Sequence, residues 1–523
     1  MNRISKELTS KNNNGVARAM LYATGMNKEQ LDYPQIGIGS MWFDSNPCNC
    51  HLDELSNYIK TSLKKQKLQG MRFNTIGVSD GITMGTFGMS YSLPSREIIA
   101  DSVEMITSAH MYDGLVTIPG CDKNIPASLM AMGRINRPGL MVYGGTMKPG
   151  LFNGKEVDIV SGFQSYGQVI SGEITTDERE DLLSKCCPSP GSCGGMYTAN
   201  TMAVLSEAMG LTLPYSSSNP AMSTEKYTEC SMVGNVVYNL LKKDIKPRDI
   251  VKEESIYNGL KLANILGGST NIVLHILAIS KDFGYNMSIN DYKYICKDVP
   301  LLGNLKPFGK YLMNDIHELG GTPRIIKYLI SENILNGDML TVTGKTLWEN
   351  VENTEPLDFE QDIIRPLDNP LKRDSHIRIL HGNLAPLGAV AKITGKEGIK
   401  FTGKACVYND EKSFLKDLKQ KRIHKGSVIV IRYMGPKGGP GMPEMLKATS
   451  AIVGSGLEND IAFITDGRFS GGSHGFIIGH ITPEAYDNGP IAYIKNGDKI
   501  TIDAKNDIIS LEKYHSSNKN YKN

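Results

Sequence analysis

The chain has 523 residues, 40% of them hydrophobic and 21% charged, which is too long for one core and too apolar for a disordered chain. Its 57 basic and 55 acidic side chains leave a net charge of +2, so there is no electrostatic footprint for nucleic acid or an anionic membrane, and the expected partner is a small molecule. Runs of about 18 apolar residues are absent, as is an apolar region near Met1, which predicts neither a membrane span nor a secretory signal.

In chain order, Leu52, Leu55, Ile59 and Leu63 form a helical stripe. Asn74–Val78 reads as a buried strand, Ile98, Ile99, Val103 and Ile106 as a helix, and Gly114–Ile118 as a second strand. Such alternation predicts a layered α/β domain with a mostly parallel sheet, spanning 1–355. The Pro-, Asp- and Asn-rich stretch after Trp348 lacks periodicity and reads as a linker, 356–375. Beyond it, Ser427–Tyr433, Ile461–Thr465 and Ile491–Ile494 read as short strands between glycine-rich turns. A β-rich domain over 376–515 is expected, with a frayed polar tail from Ser516.

Nine cysteines without a signal peptide point to reduced thiols. Three segments place cysteine in a turn before a helix: Asn46-Pro-Cys-Asn-Cys50, Pro119-Gly-Cys-Asp-Lys-Asn124 and Pro190-Gly-Ser-Cys-Gly-Gly195. Free backbone N–H groups and the helix dipole favour a thiolate there. Their wide separation excludes a local zinc ribbon or ferredoxin motif, so any shared site must be assembled by the fold. Spacing alone does not separate Cys48 from Cys50. Cys186, Cys187, Cys230, Cys296 and Cys406 are expected to pack as inert apolar side chains.

Asp80 lies where ligands collect at the carboxyl edge of an open α/β sheet. Asp122 and Lys123 share the tight turn of Cys121, and Glu444 follows the loop Gly435–Gly441, which lacks the order of a P-loop. Carboxylate oxygens suit Mg²⁺ and thiolates suit iron or zinc, so a soft centre beside a hard one is expected. In Thr465-Asp-Gly-Arg-Phe-Ser-Gly-Gly-Ser-His-Gly475, Ser470 either faces a ligand or caps its own turn, and Arg468 is available for a carboxylate.

Two segments, Cys121-Asp-Lys-Asn-Ile-Pro-Ala-Ser-Leu-Met-Ala131 and Phe463-Ile-Thr-Asp-Gly-Arg-Phe-Ser-Gly-Gly-Ser473, resemble the signatures of the dihydroxy-acid dehydratase/phosphogluconate dehydratase family. The likeness continues through Gly194–Met202, Gly267–Asn271, Gly435–Glu444 and Gly479–Ala485, and so covers nearly the whole chain. It implies a swivelling, barrel-like C-terminal domain and an iron–sulfur cluster on Cys48, Cys121 and Cys193 with one iron left open. Cysteine at position 48 favours the 2Fe–2S over the 4Fe–4S type. It further implies Mg²⁺ on Asp80, Asp122, Glu444 and a carbamylated Lys123, with Ser470 as base, and a homodimer in the cytoplasm or, in a eukaryote, an organellar matrix.

The implied substrates are 2,3-dihydroxy-3-methyl carboxylates, which would be dehydrated to the 2-keto acids of valine and isoleucine synthesis. Mg²⁺ would hold the carboxylate and 2-hydroxyl, Ser470 would take the C2 proton, and the iron would draw off the 3-hydroxyl. Two rivals are weighed against this. A sugar-acid dehydratase of the same family needs polar and basic groups at the substrate tail, and an iron–sulfur sensor or zinc protein has no use for Asp80, Glu444 and Ser470. Met434 and Leu387 depart from the family pattern and bear on the substrate pocket.

Overall fold

The computed structural model describes residues 1–10, 15–473 and 475–512. Its N-terminal part is built on an all-parallel sheet of β1 (Gln35–Ser40), β2 (Gln69–Asn74), β3 (Gly114–Ile118) and β4 (Gly139–Met141), ordered β2-β1-β3-β4. Every residue of β1 and β3 is buried, as expected for a sheet with helices on both faces. Helix Leu52–Lys65 joins β1 to β2, and it buries Leu52, Leu55, Ile59 and Leu63 along the predicted stripe. Asp53 and Glu54 in its first turn and Lys64 and Lys65 in its last complement the helix dipole. Helices Ser92–Ala109 and Asn124–Ile135 make the next two crossovers.

One predicted strand is displaced. Asn74 pairs with Ser40, the last residue of β1, and Thr75 N–H still donates to the Ser40 carbonyl at 2.9 Å; past that bond β1 offers no further partner, and residues 76–79 leave the sheet. Asp80 then opens a short helix, Asp80–Thr83, capped by the Ser79 hydroxyl.

A hairpin of β5 (Gly150–Phe152) and β6 (Lys155–Val157) precedes a long helical stretch. The C-terminal part is a closed eight-stranded barrel. Its strands are β7 (Ile377–Gly382), β8 (Ala385–Lys392), β9 (Lys400–Tyr408), β10 (Ser427–Ile431), β12 (Ala462–Thr465), β14 (Phe476–Gly479), β15 (Lys499–Asp503) and β16 (Ile508–Leu511). Closure leaves no free sheet edge. Beside the barrel, β11 (Glu444–Met445) and β13 (Arg468–Phe469) form a short parallel ladder, Glu444 opposite Arg468. The predicted strand at Ile491–Ile494 is instead a 3-10 turn, Pro490–Tyr493. Ile491 and Ile494 are both buried, a period of three that a strand does not give.

No helix or strand is formed between Val351 and Ile377, yet the stretch is not loose. Leu357 and Ile364 join the N-terminal core, and Leu301 and Gly303 make isolated bridges with Lys372 and Ile364. Ile377, Ile379 and Val390 of the barrel pack into that same core. Helix Lys447–Gly454 lies against helix Ile159–Ser171, with the Ser171 hydroxyl donating to the Gly454 carbonyl at 3.5 Å. The polar tail from Ser516 lies outside the described residues.

Candidate active site

The three cysteine turns are knitted together by backbone. Gly191 N–H donates to Pro47 C=O at 2.8 Å, Ser192 N–H to Gly145 C=O at 2.9 Å, and the Ser192 hydroxyl to Gly120 C=O. A Cβ on Gly120 would lie 1.9 Å from the Cys48 carbonyl oxygen, so only glycine lets these two turns approach. Asn124 Oδ1 accepts from Cys121 N–H at 3.0 Å and from Asn49 Nδ2 at 2.9 Å. Asn200 Nδ2 donates to Cys193 C=O at 2.8 Å, while its Oδ1 accepts from Tyr143 OH, also at 2.8 Å.

The outcome is a cluster of thiols from positions far apart in sequence. Hydrogen bonds with Cys121 and Cys193, together with burial, push the Cys48 thiol well above its ordinary range. Three thiols sharing protons in a buried site form a donor set that a soft metal would relieve by replacing those protons. Cys50 lies apart, its thiol directed to the Pro47 carbonyl at 3.7 Å. Cys230 and Cys296 lie in the main core, and Cys186 in a small cluster with Val157 and Leu182. Cys187, expected among the inert thiols, lines the cavity that also holds Cys193.

Next to the thiols stand three carboxylates. Asp80, Asp122 and Glu444 each place an oxygen within 4.8 Å of the others. Lys123 Nζ lies 2.5 Å from Asp80 Oδ2 and 4.0 Å from Asp122, and the Ser92 hydroxyl donates to Asp80 Oδ1 at 2.7 Å. Burial resists ionisation of Asp80, but Lys123 and Arg468 outweigh it and hold the carboxyl below its usual value. Asp122 is pushed up to about 7, first by burial and then by the charge of Asp80. Burial also raises Glu444 despite Arg468 and Lys123, and its Oε2 is buried without a hydrogen-bond partner. These donors fit a hard divalent cation: three carboxylates, Asp80 and Glu444 buried and Asp122 half-buried, face two cationic side chains, and one oxygen is orphaned. A carbamate on Lys123 would exchange one of those cations for another anion and make the need for a metal greater.

Glu444 reaches this group from the C-terminal half. Arg468 Nη1 is 3.2 Å from Glu444 Oε1 and 3.4 Å from Asn271 Oδ1, and its Nε donates to Met442 C=O at 2.8 Å. The carboxylate that Arg468 meets is therefore Glu444, and Arg468 is not among the residues lining the cavity. That cavity, about 200 Å³, is lined by Cys48, Cys121, Cys193, Asp80, Asp122 and Ser470. Ser470 N–H donates to Met445 C=O at 3.0 Å, and Gly472 N–H approaches the Ser470 hydroxyl at 3.4 Å. Ser470 thus lines the cavity while its hydroxyl also accepts from the backbone of its own turn. His474 lies outside the described residues.

Sequence reasoning missed Asn271, which opens helix Asn271–Phe283 and donates from Nδ2 to Glu444 Oε1 and, at 3.0 Å, to Thr198 Oγ1. It also missed Ser92 on Asp80. The signal for Asn271 was its place in Gly267-Gly-Ser-Thr-Asn271 before an apolar helix, but nothing local names Glu444 as its partner. The glycines of Gly435–Gly441 serve packing: a Cβ on Gly441 would lie 1.8 Å from the Ser90 carbonyl oxygen. Met434 and Leu387 do not line the cavity, and Leu387 is exposed.

The match to known proteins covers both halves. Residues 33–350 match the model for the dihydroxy-acid/6-phosphogluconate dehydratase N-terminal domain, and residues 362–521 match that for its C-terminal domain. A dihydroxy-acid dehydratase of Francisella tularensis subsp. novicida is 56% identical over 512 residues, covering 98% of this chain and 91% of the relative. A mitochondrial dihydroxy-acid dehydratase of Aspergillus fumigatus is 53% identical, covering 98% of this chain and 85% of its own length. A chloroplastic one of Arabidopsis thaliana is 54% identical, covering 96% and 83%. With both halves matched and more than half the residues shared along its length, the chain belongs to the dihydroxy-acid/6-phosphogluconate dehydratase family, and it is a hydro-lyase.

Proposed function

We propose that this protein dehydrates 2,3-dihydroxy-3-methyl carboxylic acids, 2,3-dihydroxyisovalerate and 2,3-dihydroxy-3-methylvalerate, to the 2-keto acids of valine and isoleucine synthesis. The observation that carries the reading is the single cavity onto which Cys48, Cys121, Cys193, Asp80, Asp122 and Ser470 converge. Its remaining wall includes Ile82, Met84, Ile159, Val160, Phe163 and Leu446. An apolar wall suits a branched alkyl tail and offers little to the hydroxyls or phosphate of a sugar acid.

Cys48, Cys121 and Cys193 are assigned to an iron–sulfur cluster, preferentially 2Fe–2S, and Asp80, Asp122, Glu444 and carbamylated Lys123 to Mg²⁺. When bound, these groups supply a Lewis acid for the departing 3-hydroxyl and a hard cation for the carboxylate and 2-hydroxyl. Ser470 holds its Oγ at the cavity wall and, as the alkoxide that neighbouring cations would stabilise, takes the C2 proton and becomes the neutral hydroxyl. Asn271 and Arg468 fix Glu444, and Ser92 fixes Asp80, so that the carboxylates are oriented before substrate arrives. The enol left after loss of water tautomerises to the 2-keto acid. No electrons leave or enter, so neither nicotinamide nor flavin is needed.

No helix among the described residues is long and apolar enough to cross a membrane. The reading places the enzyme in the cytoplasm, or in an organellar matrix if the source is eukaryotic, as a homodimer for which exposed Val16, Met20, Phe87 and Met105 supply apolar surface. The test is turnover by anaerobically purified protein of 2,3-dihydroxyisovalerate against gluconate and 6-phosphogluconate. The first is expected to give 2-ketoisovalerate and the others background. Turnover of a sugar acid, with none of dihydroxyisovalerate, would overturn the assignment.

A further inference from the structure

Lys392, the last residue of β8, is 2% exposed and its side chain runs inside the protein. Its Nζ donates to the carbonyl oxygen of Gly471 at 3.0 Å and lies 5.8 Å from the centre of the Phe308 ring. Burying a lysine is costly unless its head group has a partner. The Gly471 carbonyl is that partner, and it belongs to the peptide that follows Ser470.

The Ser470 turn is gripped from both sides. A Cβ on Gly471 would lie 2.8 Å from Ser269 Oγ and 3.0 Å from Thr198 N, so the turn is pressed against the N-terminal half there. Ser470 N–H is held by Met445 C=O at 3.0 Å, and the Ser473 hydroxyl meets Thr449 Oγ1 at 2.8 Å. On the same residue, Lys392 holds the Gly471 carbonyl. Of the groups facing Lys392, Glu397 brings a negative charge that favours the ammonium, and His376 is kept neutral by burial. Glu397 accepts from Thr394 N and Oγ1 at 2.6 and 2.7 Å. His376 donates from Nε2 to Gly268 C=O at 2.8 Å. Burial drives Lys392 down to about 7, but an ammonium and a neutral amine both carry N–H donors, so the bond survives in either form.

We propose that Lys392 is a positioning residue for the dehydration: by fixing the Ser470–Gly471 peptide, it holds the Ser470 hydroxyl at the cavity wall where the C2 proton is taken. The inference rests on Ser470 acting as base. It adds a requirement from the barrel interior, because a base displaced by even about 1 Å loses roughly a hundredfold in rate.

Lys392→Met keeps the length and apolar stem but removes the donor, and a buried lysine replaced by methionine has no desolvation cost to bear. Lys392→Arg keeps donors. In anaerobically purified enzyme with full cluster absorption, Lys392→Met should lower kcat and the exchange of the substrate C2 hydrogen with solvent together, by roughly ten- to a hundredfold, with KM changed less than about threefold. Hydrogen–deuterium exchange, read by mass spectrometry without substrate, should show faster exchange of the Ser470–Ser473 amides in Lys392→Met while peptides of β10 and β12 stay unchanged. Lys392→Arg should lose less on both readouts. On a Ser470→Ala background, Lys392→Met should add nothing to the loss of C2 exchange, since the two act through one group.

If Ser470→Ala alone still exchanges the C2 hydrogen, the reading of Ser470 as base fails, whatever Lys392 does. If Ser470→Ala abolishes exchange while Lys392→Met exchanges at the wild-type rate, the Lys392 inference fails and the base assignment stands. Equal losses in the Met and Arg variants with unaltered Ser470–Ser473 amides, or full additivity on the Ser470→Ala background, would also overturn it. Should Lys392→Met not accumulate as folded protein, the amide exchange and C2 exchange of Lys392→Arg decide: partial loosening with partial loss is required, and unchanged amides with lost exchange refute it.

Discussion

Asn271 donates a hydrogen bond from its side-chain amide to Glu444 Oε1, joining the first turn of a helix in the N-terminal half to a two-residue strand beside the barrel. The same oxygen is met by Arg468, which lies opposite Glu444 in the β11–β13 ladder. One carboxylate oxygen is thus fixed by both halves of the molecule, and the other is left without a partner. That asymmetry leaves Oε2 available to a cation.

Asn271→Ala should therefore weaken the hard-cation site without touching the thiols. Partners of a metal ligand typically contribute about 10–100-fold in affinity or activity. The Mg²⁺ concentration for half-maximal turnover should rise by that order, with cluster absorption unchanged. An unaltered Mg²⁺ dependence would show that Glu444 needs no help from Asn271.

Lys123 presents its ammonium to Asp80 at 2.5 Å; burial works against the cation, but Asp80 together with Glu444 and Asp122 outweighs it and raises Lys123 above its ordinary value. An amine held as a cation is a poor nucleophile toward carbon dioxide, so carbamylation should require a metal to take over Asp80. Native mass spectrometry should find the mass of one added carbon dioxide with bicarbonate and Mg²⁺ together, and none with bicarbonate alone. Lys123→Ala should abolish the mass gain; gain without any divalent cation would contradict the coupling.

Single serine replacements of Cys48, Cys121 and Cys193 should each erase the visible iron–sulfur absorption of anaerobically reconstituted protein. Cys50→Ser should keep it, because the Cys50 thiol turns to the Pro47 carbonyl and away from the other three. The opposite result at positions 48 and 50 would reassign the ligand.

Ser470→Ala removes the proposed base while leaving the metal ligands in place. Loss of a general base costs about 10²–10⁴ in rate. Turnover and C2-hydrogen exchange should fall by at least that order with the spectrum intact. Near wild-type exchange would send the search to another group.

Acid should destabilise the fold through two imidazoles, His376, which is buried, and His480, which is half-buried. Burial, reinforced by Lys392, pulls His376 down to about 3 from 6.5, and burial with Arg468 pulls His480 to about 4. Between those values the unfolded chain binds protons that the folded chain refuses. Stability is then fully present above about pH 6.5 and is lost progressively as pH falls toward 3. His376→Gln, which keeps a donor for Gly268 C=O, should flatten the slope of urea midpoint against pH in that window. A slope identical to wild type would show that His376 does not carry it.

Read alone, the sequence already determined the periodic elements and the chemical types of the side chains that the cavity gathers. The stripe Leu52, Leu55, Ile59, Leu63 became a buried helix face, and Gly114–Ile118 became a strand with those bounds, because burial on one side or on both leaves a local mark. The signatures around Cys121 and Ser470 likewise announced the family before any coordinates. Other features had no local mark. Whether Asn74 begins or ends a strand depended on where β1 stopped offering partners. Whether Ile491–Ile494 was strand or turn depended on which face it packed. Which of Cys48 and Cys50 turns toward Cys121 and Cys193, the meeting of Asn271 with Glu444, and the turning of Arg468 toward a carboxylate of its own chain were all decided by tertiary structure. Each of these depends on contacts between residues far apart in sequence: within the N-terminal part for the thiols, within the C-terminal part for Arg468 and Glu444, and across the seam between them for Asn271 and Glu444.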